Sequence, residues 1–224
     1  MMSDSDGAEI RTGSAPERSP REEVYNSLTH FFGFGLSIAG AIALLPIAIS
    51  HGQPRMVLAC FIYSFALMAV FLSSALSHTF SASSKRLFFR SLDQSFIYVL
   101  IVASWTPFSI AFLPTAWWNG ILVLMWLIAV LGFTSKIFLG HRVDRVSIWI
   151  YLALGWTPGL GGMLVTPLLP NFVLGWIMAG GAFYTLGTLF LFADKKSIWF
   201  HPVWHLSVLA GAATHYFAIL WYVV

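Results

Sequence analysis

Five long stretches without a charged side chain are the feature that most constrains how this chain can fold. They span residues 24–54, 56–84, 94–135, 146–193 and 197–224. A helix needs about 20 apolar residues to cross the hydrocarbon core of a bilayer, and every stretch is long enough. Only 9% of the 224 residues are charged, whereas a soluble domain carries about a quarter. The chain is therefore predicted to be an all-α integral membrane protein.

The lengths of these stretches predict seven spans. The first, second and fifth hold one span each, whereas the third and fourth, with 42 and 48 residues, hold two each. Both of the longer ones are interrupted near the middle by prolines and polar residues, at 113–119 and 166–171. We therefore predict a single domain at 23–224, a seven-transmembrane helix bundle. The polar segment 1–22, rich in Ser, Asp, Glu and Pro, is predicted to be a disordered cytosolic tail.

The positions of the basic residues predict how the bundle is oriented. An odd number of spans puts the two termini on opposite sides of the membrane. Eleven of the twelve Lys and Arg residues, among them Lys136 in the loop between spans 4 and 5, fall on the side of the amino terminus, and only Arg55 falls opposite. Cytoplasmic loops are enriched in Lys and Arg, so the amino terminus is predicted to be cytosolic and the carboxyl terminus outside. The basic loops are short and scattered, which argues against a nucleic-acid partner and favours a multi-pass protein of the inner or plasma membrane.

Four polar residues are predicted to meet at the cytosolic boundary. His78 lies near the end of span 2, Asp93 near the start of span 3, and His201 and His205 near the start of span 7. Residues four apart share one face of a helix, so both histidines of span 7 can point at one ion. Ser74 and His78 repeat this spacing on span 2. Span counting alone thus places the four residues at one depth on three helices.

These residue types suit a catalytic metal. Three histidines and a water form a common catalytic zinc arrangement, and bound zinc lowers the pKa of that water to about 7. Asp93 could hold or deprotonate the water, and Ser74 could donate a hydrogen bond to an oxygen of water or substrate. A carboxylate inside a membrane is costly and is expected to face a partner.

Each of these residues also has a plainer interpretation. A histidine near a membrane boundary is commonly an interfacial residue, and an HxxxH pair arises by chance. Pro202 suggests that His201 sits at a helix cap, and Asp93 could cap span 3 or pair with Arg90. Three histidines and an acid at one depth nevertheless favour a metal site over four separate coincidences.

Three further polar residues lie within the spans. His215 is ten residues beyond His205, which places it about 15 Å deeper and about 80° around the helix. We interpret His215 as a polar residue of the bundle interior and not as a ligand. Asn26 and His30 lie near the cytosolic end of span 1 and receive no assigned role.

Taken in order, the polar motifs resemble those of the hemolysin III family. They read Glu23-Val-Tyr-Asn26-Ser-Leu-Thr29-His30, Ser73-Ser74-Ala-Leu-Ser-His78, Arg90-Ser-Leu-Asp93-Gln-Ser-Phe-Ile-Tyr98, and His201-Pro-Val-Trp-His205 followed by His215. That family is grouped with the progestin and adiponectin receptors and the alkaline ceramidases among seven-span membrane hydrolases. The resemblance extends from residue 22 to residue 224.

The resemblance implies a specific set of site residues. The wider group has Ser-x-x-x-His on span 2, Asp on span 3 and His-x-x-x-His on span 7. It implies zinc bound by His78, His201 and His205, with Asp93 reaching the ion through water and Ser74 beside it. It also implies a cytosolic amino terminus. Two departures are Pro202 after the first histidine of the pair, and Ser77 where an aromatic residue is usual.

Three functions are compatible with these features. The first is a zinc-dependent hydrolase of lipid amide or ester bonds, with membrane lipids as partners and substrate. The second is a non-enzymatic, receptor-like sensor of membrane state in which zinc is structural. The third, a pore-forming cytolysin, is least favoured because no span carries a polar stripe away from the cytosolic boundary. The sequence specifies neither the substrate nor the oligomeric state.

Overall fold

The chain forms seven α-helices in the part that the structure describes. The structure is a computed structural model that describes residues 19–140, 144–164 and 169–224. The helices are α1 Pro20–Ser50, α2 Pro54–Thr79, α3 Ser83–Phe112, α4 Ala116–Leu139, α5 Asp144–Leu164, α6 Asn171–Phe192 and α7 Phe200–Tyr222. The described ranges contain no strand, so the predicted all-α class is confirmed.

Most of the helices can cross a membrane. Six of them, all but α5, are long and apolar enough to do so among the described residues. Large apolar side chains cover the outside of the bundle: Ile42, Leu131 and Phe138 are 70%, 69% and 82% exposed. Such a surface is stable in lipid and not in water. The integral multi-pass assignment is therefore confirmed, whereas the direction of the termini remains a prediction.

The first helix begins within the segment predicted as a tail. Ser19 caps it, because its side chain accepts from the backbone N–H of Glu22 at 3.3 Å and its own N–H donates to the Glu22 carboxylate at 2.7 Å. This reciprocal capping box, with Pro20 in the first turn, defines a helix start. The disorder predicted for the tail falls on residues 1–18, which lie outside the described ranges, and stays a prediction.

The predicted breaks in the two long apolar stretches lie between helices. Helix α3 ends at Phe112, and α4 begins at Ala116 after Thr115, whose side chain accepts from the N–H of Trp118. This is the interruption expected at 113–119. Helix α5 ends at Leu164 and α6 begins at Asn171, and residues 165–168 between them are outside the described ranges.

Helix packing closes the bundle around an interior cavity. Helix α1 packs between α2 and α7, α4 packs on the outside of α3, and α6 packs on α7. The ring of Phe71 on α2 approaches so closely that a Cβ at Gly33 on α1 would lie 2.6 Å from it. In contrast, α5 has sparse contacts with α3 and α6. The space beside α5 becomes the cavity described next.

Candidate metal centre and its cavity

Three histidines converge at one end of the bundle. His78 lies in the last turns of α2, and His201 and His205 lie in the first turns of α7. Each offers one ligand atom, and these three atoms lie within 4.8 Å of one another. The His201 and His205 ring centroids are 4.4 Å apart, and those of His78 lie 5.3 and 5.2 Å from them. Although Pro202 places His201 at the start of α7, the pair still shares one face.

The three histidines could hold a metal ion. Nitrogens on one tetrahedral zinc ion, at about 2.0–2.1 Å from it, lie about 3.3 Å apart, so small side-chain rotations would bring the donors to bonding positions. The cluster is well shielded, with His205 3% exposed and the side chains of His78 and His201 9% and 13% exposed. Imidazole nitrogens suit zinc, copper, iron and nickel. The donor set therefore fits a transition-metal ion with three nitrogen ligands.

Each of the three rings has a neighbour at Nδ1. The Nδ1 atom of His78 lies 2.6 Å from the Glu23 carboxylate of α1, which also accepts from the guanidinium of Arg86 on α3. The Nδ1 atom of His205 lies 3.1 Å from the Thr29 hydroxyl of α1. The Nδ1 atom of His201 lies 3.6 Å from a carboxylate oxygen of Asp194, in the short 3₁₀ helix before α7.

Ser74 and Asp93 form a pair in the same cavity. The hydroxyl of Ser74, one turn before His78, donates to the carboxylate of Asp93 on α3 at 3.2 Å. Both residues line the cavity that His78 lines. Among the described residues, the hydrogen-bond partner of the Asp93 side chain is Ser74 and not Arg90. The group of close ligand atoms comprises the three histidines without Asp93.

Two polar residues of α1 lie against the histidine cluster. The ring of His30 lies 3.8 Å, centroid to centroid, from that of His205. Both ring nitrogens of His30 and both polar side-chain atoms of Asn26 are buried, with no hydrogen-bond partner among the described residues. His215 lies outside the cluster and donates from Nε2 to the carbonyl of Ile177 at 3.2 Å, consistent with its interpretation as an interior residue.

The cavity extends from the histidines into the apolar interior. Its volume is about 650 Å³, within the range of about 300–1,000 Å³ typical of ligand sites. Val70, Leu152, Met178 and Val208 line its apolar part, and it reaches His215, about 15 Å along α7 from His205.

Sequence reasoning missed the residues that contact the histidines at Nδ1. Glu23 shares an i, i+3, i+7 polar stripe of α1 with Asn26 and His30, which was the available signal for it. Asp194 carried no comparable signal.

Lys136 was wrongly placed in a loop between spans 4 and 5. It lies in the last turn of α4, is 1% exposed, and donates from Nζ to the side-chain oxygen of Gln94 at 3.0 Å.

Known proteins are similar to this chain along nearly its whole length. The profile of the family described as "Haemolysin-III related" matches residues 18–216. Hemolysin-3 of Bacillus cereus is 34% identical over 209 residues, which cover 91% of this chain and 93% of that protein. The Hemolysin-3 homolog of Bacillus subtilis (strain 168) is 31% identical, covering 91% and 95% of the two chains. The Homo sapiens protein named monocyte to macrophage differentiation factor is 30% identical, covering 88% and 83%.

Proposed function

This chain belongs to the hemolysin III family of integral membrane proteins, and we propose that it is a zinc-dependent hydrolase of amide or ester bonds in membrane lipids. One observation carries the proposal: a three-histidine cluster and an acid–serine pair line the same cavity, whose remainder is mostly apolar. Catalytic zinc sites have three protein ligands and one open position, whereas structural sites have four. A set of three protein ligands therefore favours a catalytic zinc site over a structural one.

Each residue of the site would have a separate role in the proposed hydrolysis. His78, His201 and His205 would hold the ion, which when bound polarises a carbonyl and lowers the pKa of water to about 7. The Asp93 carboxylate would accept the proton of the attacking water and later return it to the leaving group. The Ser74 hydroxyl, now donated to Asp93, would orient that carboxylate or turn towards the developing oxyanion.

The cavity supports a lipid as the substrate. The three histidines of the cluster and Asp93 lie at one end, and mainly apolar and aromatic side chains line the remainder, which extends to His215. An acyl chain would bury its surface among the apolar residues, at about 25 cal/mol per Å², and its carbonyl would stop at the histidines. Under the predicted orientation, the substrate would enter from the cytosolic leaflet.

One alternative is supported by the same geometry. The histidines and their neighbours tie the ends of α1, α2 and α7 together, which is also what a structural ion does. A receptor-like sensor with structural zinc would use this cross-link without turnover.

The experiment compares metal content and hydrolysis in wild type, His205→Ala and Asp93→Asn. We expect about one zinc per wild-type chain by mass spectrometry, loss of zinc in His205→Ala, and normal zinc in Asp93→Asn. Turnover of a panel of lipid amides and esters should fall by about 10²–10⁴-fold in Asp93→Asn, because a general base typically contributes that factor.

Each other outcome contradicts part of the proposal. Wild-type protein that binds no zinc in the presence of excess ion would rule out both the hydrolase and the structural-zinc alternative. Zinc-loaded wild type that hydrolyses nothing on the panel, or Asp93→Asn with wild-type turnover, would count against the hydrolase.

A further inference from the structure

Each of the three histidines has a polar neighbour at the same ring nitrogen, Nδ1, two of these neighbours coming from α1 and one from the short helix before α7. We propose that Glu23 is a positioning residue that holds the ring of His78 for metal binding through Nε2, and that Asp194 holds His201 in the same way. The inference rests on the proposed metal centre but not on the hydrolase activity. It assigns a role to the first turn of α1 and to the short segment before α7.

The contacts of Glu23 determine which nitrogen of His78 carries the proton. One carboxylate oxygen faces Nδ1 of His78, at 2.6 Å, and the other accepts from Arg86. A carboxylate oxygen in a pair with a guanidinium accepts hydrogen bonds and does not donate them. Nδ1 of His78 is therefore the protonated nitrogen, and in the neutral ring the lone pair that binds a metal is on Nε2.

The same assignment follows for His205 from the hydroxyl of Thr29. That hydroxyl has one hydrogen, and the backbone carbonyls of Asn26 and Tyr25, at 2.8 and 3.1 Å, accept it. Its oxygen therefore accepts from Nδ1 of His205, 3.1 Å away. Nε2 of His205 again carries the lone pair. The two histidines, on α2 and α7, are thus prepared alike by residues of α1.

Asp194 extends the pattern to His201 at a longer distance. Its carboxylate oxygen lies 3.6 Å from Nδ1 of His201, beyond a hydrogen bond but close enough to attract the N–H group. The side chains of Asp194 and Glu23 are 18% and 14% exposed, so both contacts are partly shielded from water. We expect Asp194 to contribute less than Glu23 because its contact is longer.

These contacts have a measurable consequence for metal affinity. A carboxylate on the distal nitrogen fixes the orientation of the ring and raises the basicity of the liganding nitrogen, and its loss typically weakens metal binding by 10- to 100-fold. Gln at position 23 offers one acceptor oxygen where the carboxylate offers two. It therefore cannot satisfy both His78 and Arg86.

The test measures zinc affinity by chelator competition in purified full-length variants. Glu23→Gln should bind zinc about 10- to 100-fold more weakly than wild type. Glu22→Gln is the matched control, because it removes the same charge one residue away. The Glu22 carboxylate accepts from the backbone N–H of Ser19 and has no described contact with a histidine. Glu22→Gln should bind zinc like wild type, and Asp194→Asn should fall between the two.

A second control separates positioning from helix anchoring. Arg86→Gln breaks the same Glu23–Arg86 ion pair between α1 and α3 but leaves the Glu23–His78 contact in place. It should weaken zinc binding much less than Glu23→Gln does. In the cobalt-substituted protein, the visible d–d bands should shift in Glu23→Gln and stay unchanged in Arg86→Gln.

Several results would overturn the inference. Wild-type affinity in Glu23→Gln would do so, as would equal weakening in Arg86→Gln and Glu23→Gln, since the common factor would then be the helix link. A wild-type protein that binds no metal would overturn it together with the proposed function. Zinc binding with the expected variant order but no hydrolysis would leave the inference standing and remove the hydrolase alone.

Discussion

At the scale of single residues, the Ser74–Asp93 hydrogen bond is the contact that most closely constrains the proposed chemistry. Asp93 brings a carboxylate among apolar helices, where the cost of an unpartnered charge is several kcal/mol. The hydroxyl of Ser74 offsets part of that cost and holds one carboxylate oxygen. In the proposed mechanism, the other oxygen would accept the proton of the attacking water.

Replacing Ser74 should impair turnover without removing the metal. A hydrogen bond to a charged group contributes about 1.5–3 kcal/mol, so Ser74→Ala should lower kcat/KM by about 10- to 100-fold. Ser73→Ala is the matched control, because the hydroxyl of the adjacent, equally buried Ser73 donates to the backbone carbonyl of Ala69. Lipid hydrolysis and zinc content measure the two effects. Equal losses in both variants would contradict a specific role for Ser74.

At the scale of helices, the contact between α6 and α7 depends on a small residue. A Cβ at Gly180 would lie 2.4 Å from Nε2 of His215 and 3.3 Å from the backbone oxygen of Gly211. Because the hydrogen bond from His215 to Ile177 occupies this space, the helices cannot adjust without losing it. The polar contact and the close helix approach therefore support each other.

Gly180→Ala should destabilise the bundle. Overpacking a tight contact costs about 1–3 kcal/mol, which should appear as a lower Tm in detergent. Gly175→Ala on the same helix is the matched control, because a Cβ there meets nothing within 4 Å. Its Tm should equal that of wild type or exceed it slightly. If the two variants unfold at the same temperature, the α6–α7 contact is looser than described.

At the scale of the whole molecule, the orientation in the membrane decides which leaflet the cavity serves. The histidine end of the bundle contains the first turns of α1, α3 and α7 and the last turns of α2. The distribution of Lys and Arg predicts that this end is cytosolic. A substrate lipid would then come from the inner side.

Cysteine labelling in cells can test this orientation. Cys60 is the only cysteine and is fully buried, so Cys60→Ser provides a background for single-cysteine variants. A membrane-impermeant maleimide should label Gln53→Cys, before α2, in intact cells. It should label Ala82→Cys, before α3, only after permeabilisation. The reverse pattern would place the histidine end outside and contradict the charge-based prediction.

The number and type of the helices followed from the sequence because lipid leaves few alternatives. Backbone polar groups in a bilayer must be satisfied within a helix or a closed barrel, so charge-free stretches of helical length report spans directly. The four-residue spacings of Ser74 with His78 and of His201 with His205 are likewise local properties of a helix. The structure brings these residues together, and their catalytic roles remain a prediction.

What the tertiary structure alone decided is how side chains from distant parts of the chain meet. Glu23 reaches His78 only because α1 packs on α2, and Thr29 reaches His205 only because α1 also packs on α7. Lys136 was placed in a loop because a cation at the end of an apolar stretch usually marks one. Helix α4 instead continues to Leu139, and Lys136 donates a hydrogen bond to Gln94 on α3. Spacing along one helix is set by its periodicity, whereas contacts between helices depend on packing that no local pattern encodes.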